Sequence, residues 1–409
     1  MSTLDQSMTS GLRQTTPSGK VCPGCNSISA IPFYRLSDQP VHVGVTYSSE
    51  AEARCAPQAD IELCYCPGCG LVFNAAYDAT KMDFAPGYDA SLTSSDQFMR
   101  FLDSIIERLI ERYDLPGKTV LEVGCGIGHF LRRLCERAGC NGIGIDPSVP
   151  AEGTEPVRDQ AITWIRGLLG PEHASLSFDL LCGLDMFELL PQPYAFLKSV
   201  RQALPQAGGM PVYFESPERG HIFDSGAGWS IFYEQCCYYD IPTLRGLFER
   251  SGFSVTYAAP FELNPQCVYV EAVAKQVQHC DIDHDVTVEG RLPANLAAFD
   301  QAQRRRATEW SSKIDGWIHA GRDVVLWGSG GKGINFLNTV PGAERIRRVV
   351  DVNPARQCRY LPRAGQQVIA PDALIESRPD VVLVSNRHWH DEIAGTIAGL
   401  GLDCELLNV

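Results

Sequence analysis

Apolar and polar positions change rhythm three times along this chain of 409 residues. In the first eighty residues the apolar runs are short. Residues 41–47 alternate as a strand does, and 61–65 with 71–73 read as the arms of a hairpin. A helical pattern covers residues 95–112. From residue 119 a new rhythm begins: a short apolar run, a glycine turn, a helical stretch, then a second apolar run stopping at Asp146. Strand patterns return at 178–182 and 212–215, with helical ones at 193–204 and 242–251. Residues 253–257 and 268–274 predict a closing antiparallel pair. Beyond a linker from 276, a long amphipathic helix is expected over 295–320, and strands recur at 324–327, 349–351 and 381–384. Strands alternating with helices predict parallel α/β sheets, and the length predicts several domains. The boundaries read as a tail over 1–19, a small domain over 20–80, an α/β domain over 81–275 and a second over 276–409.

Residues 119–146 carry the clearest chemistry. Glu122 ends the first strand, Gly124, Gly126 and Gly128 follow, and Asp146 ends the next strand. Glycines let a backbone approach a ligand closely, and an acid about 20 residues on can bind ribose hydroxyls. A carboxylate at Glu122 would repel a pyrophosphate and suits a cationic ligand. The alternative is a βαβ turn that keeps its glycines for packing. Glu-x-Gly-x-Gly-x-Gly resembles the first motif of class I S-adenosylmethionine-dependent methyltransferases. That resemblance implies Glu122, Gly124, Gly126, Gly128 and Asp146 as cofactor-binding residues. Ligands in open α/β sheets lie beyond the carboxyl ends of strands, so segments 183–188, with Asp185, 215–221 and 229–239 are expected to face the cofactor's methyl group.

Composition narrows the partners. The formal net charge of −14 argues against nucleic acid, which needs a basic face. No run of about 18 apolar residues exists, so no membrane span is expected. The polar start lacks a signal-peptide core, and the expected compartment is the cytoplasm. Sixteen cysteines in such a chain point to reduced thiols and a metal. Cys22-Pro-Gly-Cys25 and Cys66-Pro-Gly-Cys69 are two tight turns, each presenting two sulfurs, and four thiolates suit a structural zinc ion. Redox use of such a motif is the alternative. Cys64, Cys55 and His42 are competing ligands.

Two further segments carry candidate groups. Residues 229–239 are dense in polar aromatics and read as a substrate-facing shelf, with Tyr233, Glu234 and Tyr238 as proton-transfer or hydrogen-bonding groups and His221 nearby. The turn 328–333 is glycine-rich and includes Lys332. Alone it is a weak dinucleotide fingerprint, and its amides could equally cradle another anion. Tyr88 lies in a loop of turn-forming residues and is taken as a substrate contact.

The assembled order resembles the three-domain zinc-containing C-methyltransferases that act on nucleotide-linked keto-deoxysugars. The motifs are the four-cysteine region, the Glu122 motif, Trp-Gly-Ser-Gly-Gly-Lys-Gly at 327–333 and Val-Val-Asp-Val-Asn-Pro-Ala-Arg-Gln at 349–357. The resemblance implies an α/β fold: a class I methyltransferase Rossmann-like core, an N-terminal zinc-knuckle domain and a C-terminal Rossmann-like domain. It implies S-adenosylmethionine and structural zinc as cofactors, and Lys332, Asn353 and Arg356 as substrate-binding groups. It also favours a monomer acting on a small molecule. One departure matters. The family's loop reads Tyr-His-Glu-His, with a tyrosine soon after. Here it is Phe232-Tyr233-Glu234-Gln235 with Tyr238, and both histidines, one of them the family's proposed base, are absent. C-methylation is the leading expectation, O- or N-methylation the alternative, and a nicotinamide oxidoreductase a remote third.

Overall fold

The computed structural model describes residues 19–82, 84, 93–205, 207–276 and 291–409. Tyr88 lies outside the described residues. The first sheet holds β1 (Ile31–Pro40), β2 (Gln58–Tyr65) and β3 (Val72–Asn74), all antiparallel. The hairpin expected around the second cysteine pair is present as β2 and β3. The strand expected over 41–47 is not. Its backbone is held by other groups: the amides of Val43 and Gly44 donate to the Glu234 carboxylate, Arg356 donates to the Val43 carbonyl, and Tyr47 makes an isolated bridge to Tyr360. The strand lies just before it, in β1.

The second sheet is assembled from β4 (Thr119–Val123), β5 (Asn141–Ile145), β6 (Gly153–Val157), β7 (Gln160–Ile165), β8 (Leu180–Gly183), β9 (Pro211–Pro217), β11 (Phe253–Pro260) and β12 (Cys267–Ala274). Its order is β11-β12-β9-β8-β4-β5-β7-β6. The hairpin of β6 and β7 gave no sequence signal; β7 joins β5 in parallel and moves the edge outward. The order reverses at β4, so the crevice beyond the carboxyl end of β4 is the topological switch point where such sheets bind ligands. The missing number, β10 (Cys237–Tyr238), leaves this region of the chain and pairs with β3 of the first sheet. The sheet boundary therefore does not follow the chain boundary near residue 80.

The helix Asp96–Tyr113 is capped by Ser95, whose Oγ accepts from the amide of Phe98. Its apolar side covers one face of the second sheet with Phe101, Ile105 and Leu109. The other face is covered by Leu197, Leu244, Phe248 and neighbours, and this core continues without a break into Cys22, Cys66 and Leu71 of the cysteine region.

The third sheet is parallel, in the order β15-β14-β13-β16-β17, from β13 (Val324–Trp327), β14 (Arg348–Val350), β15 (Gln367–Ile369), β16 (Val381–Val384) and β17 (Glu405–Asn408). Strands β15 and β17 were not anticipated. Its own switch point is β13, the strand that runs into the second glycine turn. The helix Ala294–His319 packs back on the first sheet, where Phe299 meets Tyr34 and Phe223 edge-on at 5.1 and 5.0 Å between ring centroids.

Candidate functional site

At the end of β4 the chain makes three left-handed steps, Gly124, Gly126 and Gly128, with φ of 73°, 55° and 87°. A side chain at Gly128 would collide with the Trp164 ring, whereas one at Gly126 would meet nothing within 4 Å. The turn therefore faces open space at its centre. The Gly126 amide donates to Asp146 at 3.0 Å, and Asp146 also accepts from the Ser148 amide at 2.7 Å, so this acid first orders the turn. Glu122 is only 2 % exposed, and its Oε2 has no hydrogen-bond partner among the described residues. Burial, and then the neighbouring Asp146, push its carboxyl up to about 8. A buried carboxylate with one unpartnered oxygen, beside a glycine turn open at its centre, is a fit for the ammonium end of S-adenosylmethionine.

Beyond β8 and β9 a second group of acids gathers. Asp185 stands in the left-handed region at φ 49°, a strained conformation for a residue with a side chain. Its carboxyl, the carboxyl of Glu215 on β9 and the thiol of Cys267 on β12 offer atoms within 4.8 Å of one another. Asp185 is reachable by solvent yet walled in by protein, and this desolvation raises it to about 6. Burial, followed by Asp185, raises Glu215 well above the usual carboxylate range, and Glu188 is raised likewise by burial and Asp185.

The opposite wall comes from the third sheet. Lys332, in the second glycine turn, donates to Gln266 beside Cys267; burial holds its amine down at about 8. His221 has its imidazole lowered to about 4, by burial first and then by Lys332, Arg387 and His388. His388 also touches Gln97 at 3.1 Å. The cleft between the two α/β sheets is thus acidic on the methyltransferase-like side and cationic on the other.

The other expected groups lie in less open settings. Glu234 is 1 % exposed and accepts from the Val43 amide at 2.6 Å, bracing the aromatic segment against the first domain. The Tyr233 hydroxyl accepts from the Asp78 amide at 2.7 Å, and its ring stacks on Tyr77. Tyr238 is fully buried in β10 against Phe223. Arg356 is buried and donates to the Ser329 carbonyl at 2.7 Å, tying the second turn down. The Asn353 amide donates to Asp351, and its own side chain accepts from the Ala355 amide.

The four predicted cysteines converge. Cys22 lies 3.6 Å from Cys69 and Cys25 lies 3.6 Å from Cys66, sulfur to sulfur, with all four sulfurs within 4.8 Å. Zinc–sulfur bonds of about 2.3 Å in a tetrahedron place sulfurs roughly 3.8 Å apart, so the set fits that ion. Cys64 and Cys55 are outside the cluster, and His42 lies near Glu234 instead.

Sequence reasoning placed Glu215 in a segment facing the cofactor but gave it no role, and it missed Gln266, Cys267 and Gln97 as cleft residues. Glu215 closes the run 212–215 with an acid at a strand's carboxyl end, the same signal that marked Glu122. The other three carry no local signal.

Comparison with known proteins gives two family matches. Residues 95–258 match the model of a methyltransferase domain, and residues 271–400 match that of a C-methyltransferase C-terminal domain. A malonyl-[acyl-carrier protein] O-methyltransferase of Anoxybacillus flavithermus is 23% identical over 145 residues, which is 35% of this chain and 51% of the relative. The chain thus spans about half the length of that curated relative. Among solved structures, the magnesium protoporphyrin IX methyltransferase of Synechocystis with bound SAH aligns over 44% of this chain and 84% of its own, at 18% identity and a TM-score of 0.33. A cyclopropane synthase of Mycobacterium tuberculosis aligns over 48% and 91%, at 16% identity and a TM-score of 0.33.

Proposed function

We propose that this S-adenosylmethionine-dependent methyltransferase acts on a carbon atom of a small biosynthetic intermediate bearing an anionic group, such as a nucleotide-linked sugar. The observation that carries the reading is the bipolar cleft, whose acidic wall belongs to the methyltransferase domain and whose cationic wall belongs to the C-methyltransferase C-terminal domain. When bound, S-adenosylmethionine supplies a methyl group made electrophilic by its sulfonium. Glu122 receives the amino-acid end, Gly124, Gly126 and Gly128 let it approach, and Asp146 presents its remaining lone pairs to the ribose. Asp185 lies toward the reacting end. Lys332, Arg387 and His388 hold the acceptor's anion, with Asn353 and Tyr88 as further acceptor contacts and Arg356 keeping the second turn in place. Tyr233, Glu234 and Tyr238 fix the aromatic segment that separates the two walls. His221 is neutral at pH 7, but an imidazole lowered to about 4 is a weak proton acceptor.

Cys22, Cys25, Cys66 and Cys69 hold a structural zinc ion in this reading. They share a core with the second sheet, so the ion serves folding. All the described cysteines are free of disulfides, which suits a reducing cytoplasm. Metal analysis should find one zinc per chain.

The test of the main reading is incubation with methyl-¹³C S-adenosylmethionine and a panel of acidic keto compounds, nucleotide-linked sugars included, followed by NMR of the product. A new carbon–methyl bond is the expected result. A methyl on oxygen would move the reading to O-methylation, which asks less of a base and would account for the lost histidines. Absence of any calorimetric signal with S-adenosylhomocysteine would sink both.

A further inference from the structure

We propose that Asp185 and Glu215 work as one acid–base unit, ionised opposite the cofactor's sulfonium and taking up the proton that the acceptor carbon gives off as that positive charge disappears. This rests on the proposed C-methylation and assigns the base that the missing histidines leave open.

The geometry comes first. The two carboxyls sit within 4.8 Å of each other, one at the carboxyl end of β9 and the other just past β8, where this sheet type presents ligands. Glu215 is 2 % exposed, and its Oε1 has no hydrogen-bond partner among the described residues. Asp185 is held in the left-handed region at φ 49°, with its carboxyl beside Glu215 and Cys267. The groups facing the pair are Glu188, from the turn after β8, Tyr213, from β9, and Cys267, from β12, with Lys332 beyond Cys267. Among the described residues no salt bridge neutralises either carboxyl. Two adjacent carboxyls, one of them buried, with a further buried acid beside them resist full ionisation until a cation arrives.

The step then balances. The acceptor's C–H bond breaks and its proton passes to the pair. The electron pair left on carbon forms the new bond to the methyl group, and the methyl–sulfur bond breaks with its electrons on sulfur. A cation is lost and a carboxylate is neutralised, so the charge of the enclosed cleft is unchanged. Creating an isolated charge in such a place is costly, and this pairing avoids it.

The test needs no acceptor. Calorimetric titrations of the full chain with S-adenosylmethionine and with S-adenosylhomocysteine, at pH 6.5 in buffers of different ionisation enthalpy, count the protons each ligand displaces. Both ligands carry the same amino-acid end, so any proton displaced from Glu122 cancels in the difference. The expected excess for S-adenosylmethionine is about one proton, and its affinity relative to the product should rise roughly tenfold per pH unit until the pair is ionised without ligand. Glu215→Gln should abolish the excess. Should that variant fail to fold, Asp185→Asn, at the solvent-accessible member, is held to the same criterion. Equal proton counts for the two ligands, or an excess that survives the substitution, would overturn the inference while leaving the methyltransferase reading intact. If neither ligand binds, the failure lies in the proposed function itself.

Discussion

The two glycine turns of this chain, 124–128 and 328–333, follow similar strand-turn-helix patterns and end in different chemistry. The first is open at its centre and has a buried carboxylate behind it with an unpartnered oxygen. The second is packed at Gly328, Gly331 and Gly333, is open only at Gly330, and has no buried unpartnered carboxylate behind it among the described residues. A side chain at Gly333 would collide with the Gly328 carbonyl, and one at Gly328 with Ser385. Asp351 accepts from the Ser329 amide at 2.8 Å, and the Phe232 ring lies against Gly331. Its helix is further tied to the methyltransferase domain by Asn335, which donates to the Ile231 carbonyl. Only Lys332 of this turn reaches toward the cleft, and it does so through Gln266. A glycine pattern therefore marks a ligand cradle only where the groups around it are left unpaired; where they are paired, the same glycines make a joint between domains.

The pH dependence of stability offers the largest test of this contrast. Glu122 ionises near 4.5 in an unfolded chain and is pushed up to about 8 here. Between those values the native chain keeps a proton that the unfolded chain has lost. Stability contributed by this site must therefore fall as pH rises through that window and stay flat outside it. The full swing is on the order of 5 kcal/mol. Glu122→Gln removes the titration, so the variant should gain on the wild type as pH rises from 5 to 8 in denaturant melts. The same variant should bind S-adenosylmethionine at least tenfold more weakly. Parallel stability curves for the two proteins would show that Glu122 is partnered and that the first turn is no more open than the second.

Gly333→Ala comes next in size. Its methyl would be driven into a backbone carbonyl, an atom that cannot rotate away. A cost of about 3 kcal/mol is expected, read by chemical denaturation, with loss of the contacts between Phe232 and the second turn. A cost below about 1 kcal/mol would mean that the joint has room, and that a ligand could enter there as well.

Much of this contrast was legible in the sequence on one side only. Glu122, the three glycines, Asp146 and the four cysteines were readable because their meaning is local: an acid at a strand end, a turn, two Cys-x-x-Cys pairs. Most strands of the two α/β sheets were readable from short apolar runs between helical stretches, but β6, β7, β15 and β17 were not. What escaped was whatever depends on distant pairing. Residues 41–47 alternate like a strand, but their partners are the side chains of Glu234 and Arg356, some 190 and 310 positions away. Glu234 itself looked like a base in an aromatic shelf and is found accepting two backbone amides. Strand β10 has only two residues, too few for any periodicity, and still completes the first sheet. The acidic wall needed Asp185, Glu215 and Cys267 from three separate elements. Lys332 was singled out for an anion, but its link to Gln266 crosses between sheets and leaves no trace in spacing.

Gly126→Ala is the smallest effect and the most discriminating. The added methyl meets no atom within 4 Å, so packing contributes nothing to its cost. What remains is the backbone at φ 55°, a left-handed position that costs a residue with a side chain about 1 kcal/mol. Stability should therefore fall only slightly, far less than for Gly333→Ala. The methyl would, however, occupy space that the first turn leaves for its ligand, so S-adenosylhomocysteine affinity should drop more than stability does. Titration calorimetry beside a denaturant melt measures both on one preparation. A variant that loses stability as heavily as Gly333→Ala would place the first turn among the packed joints. One that keeps full affinity would mean that the ligand approaches from another side, with Glu122 left to some other partner.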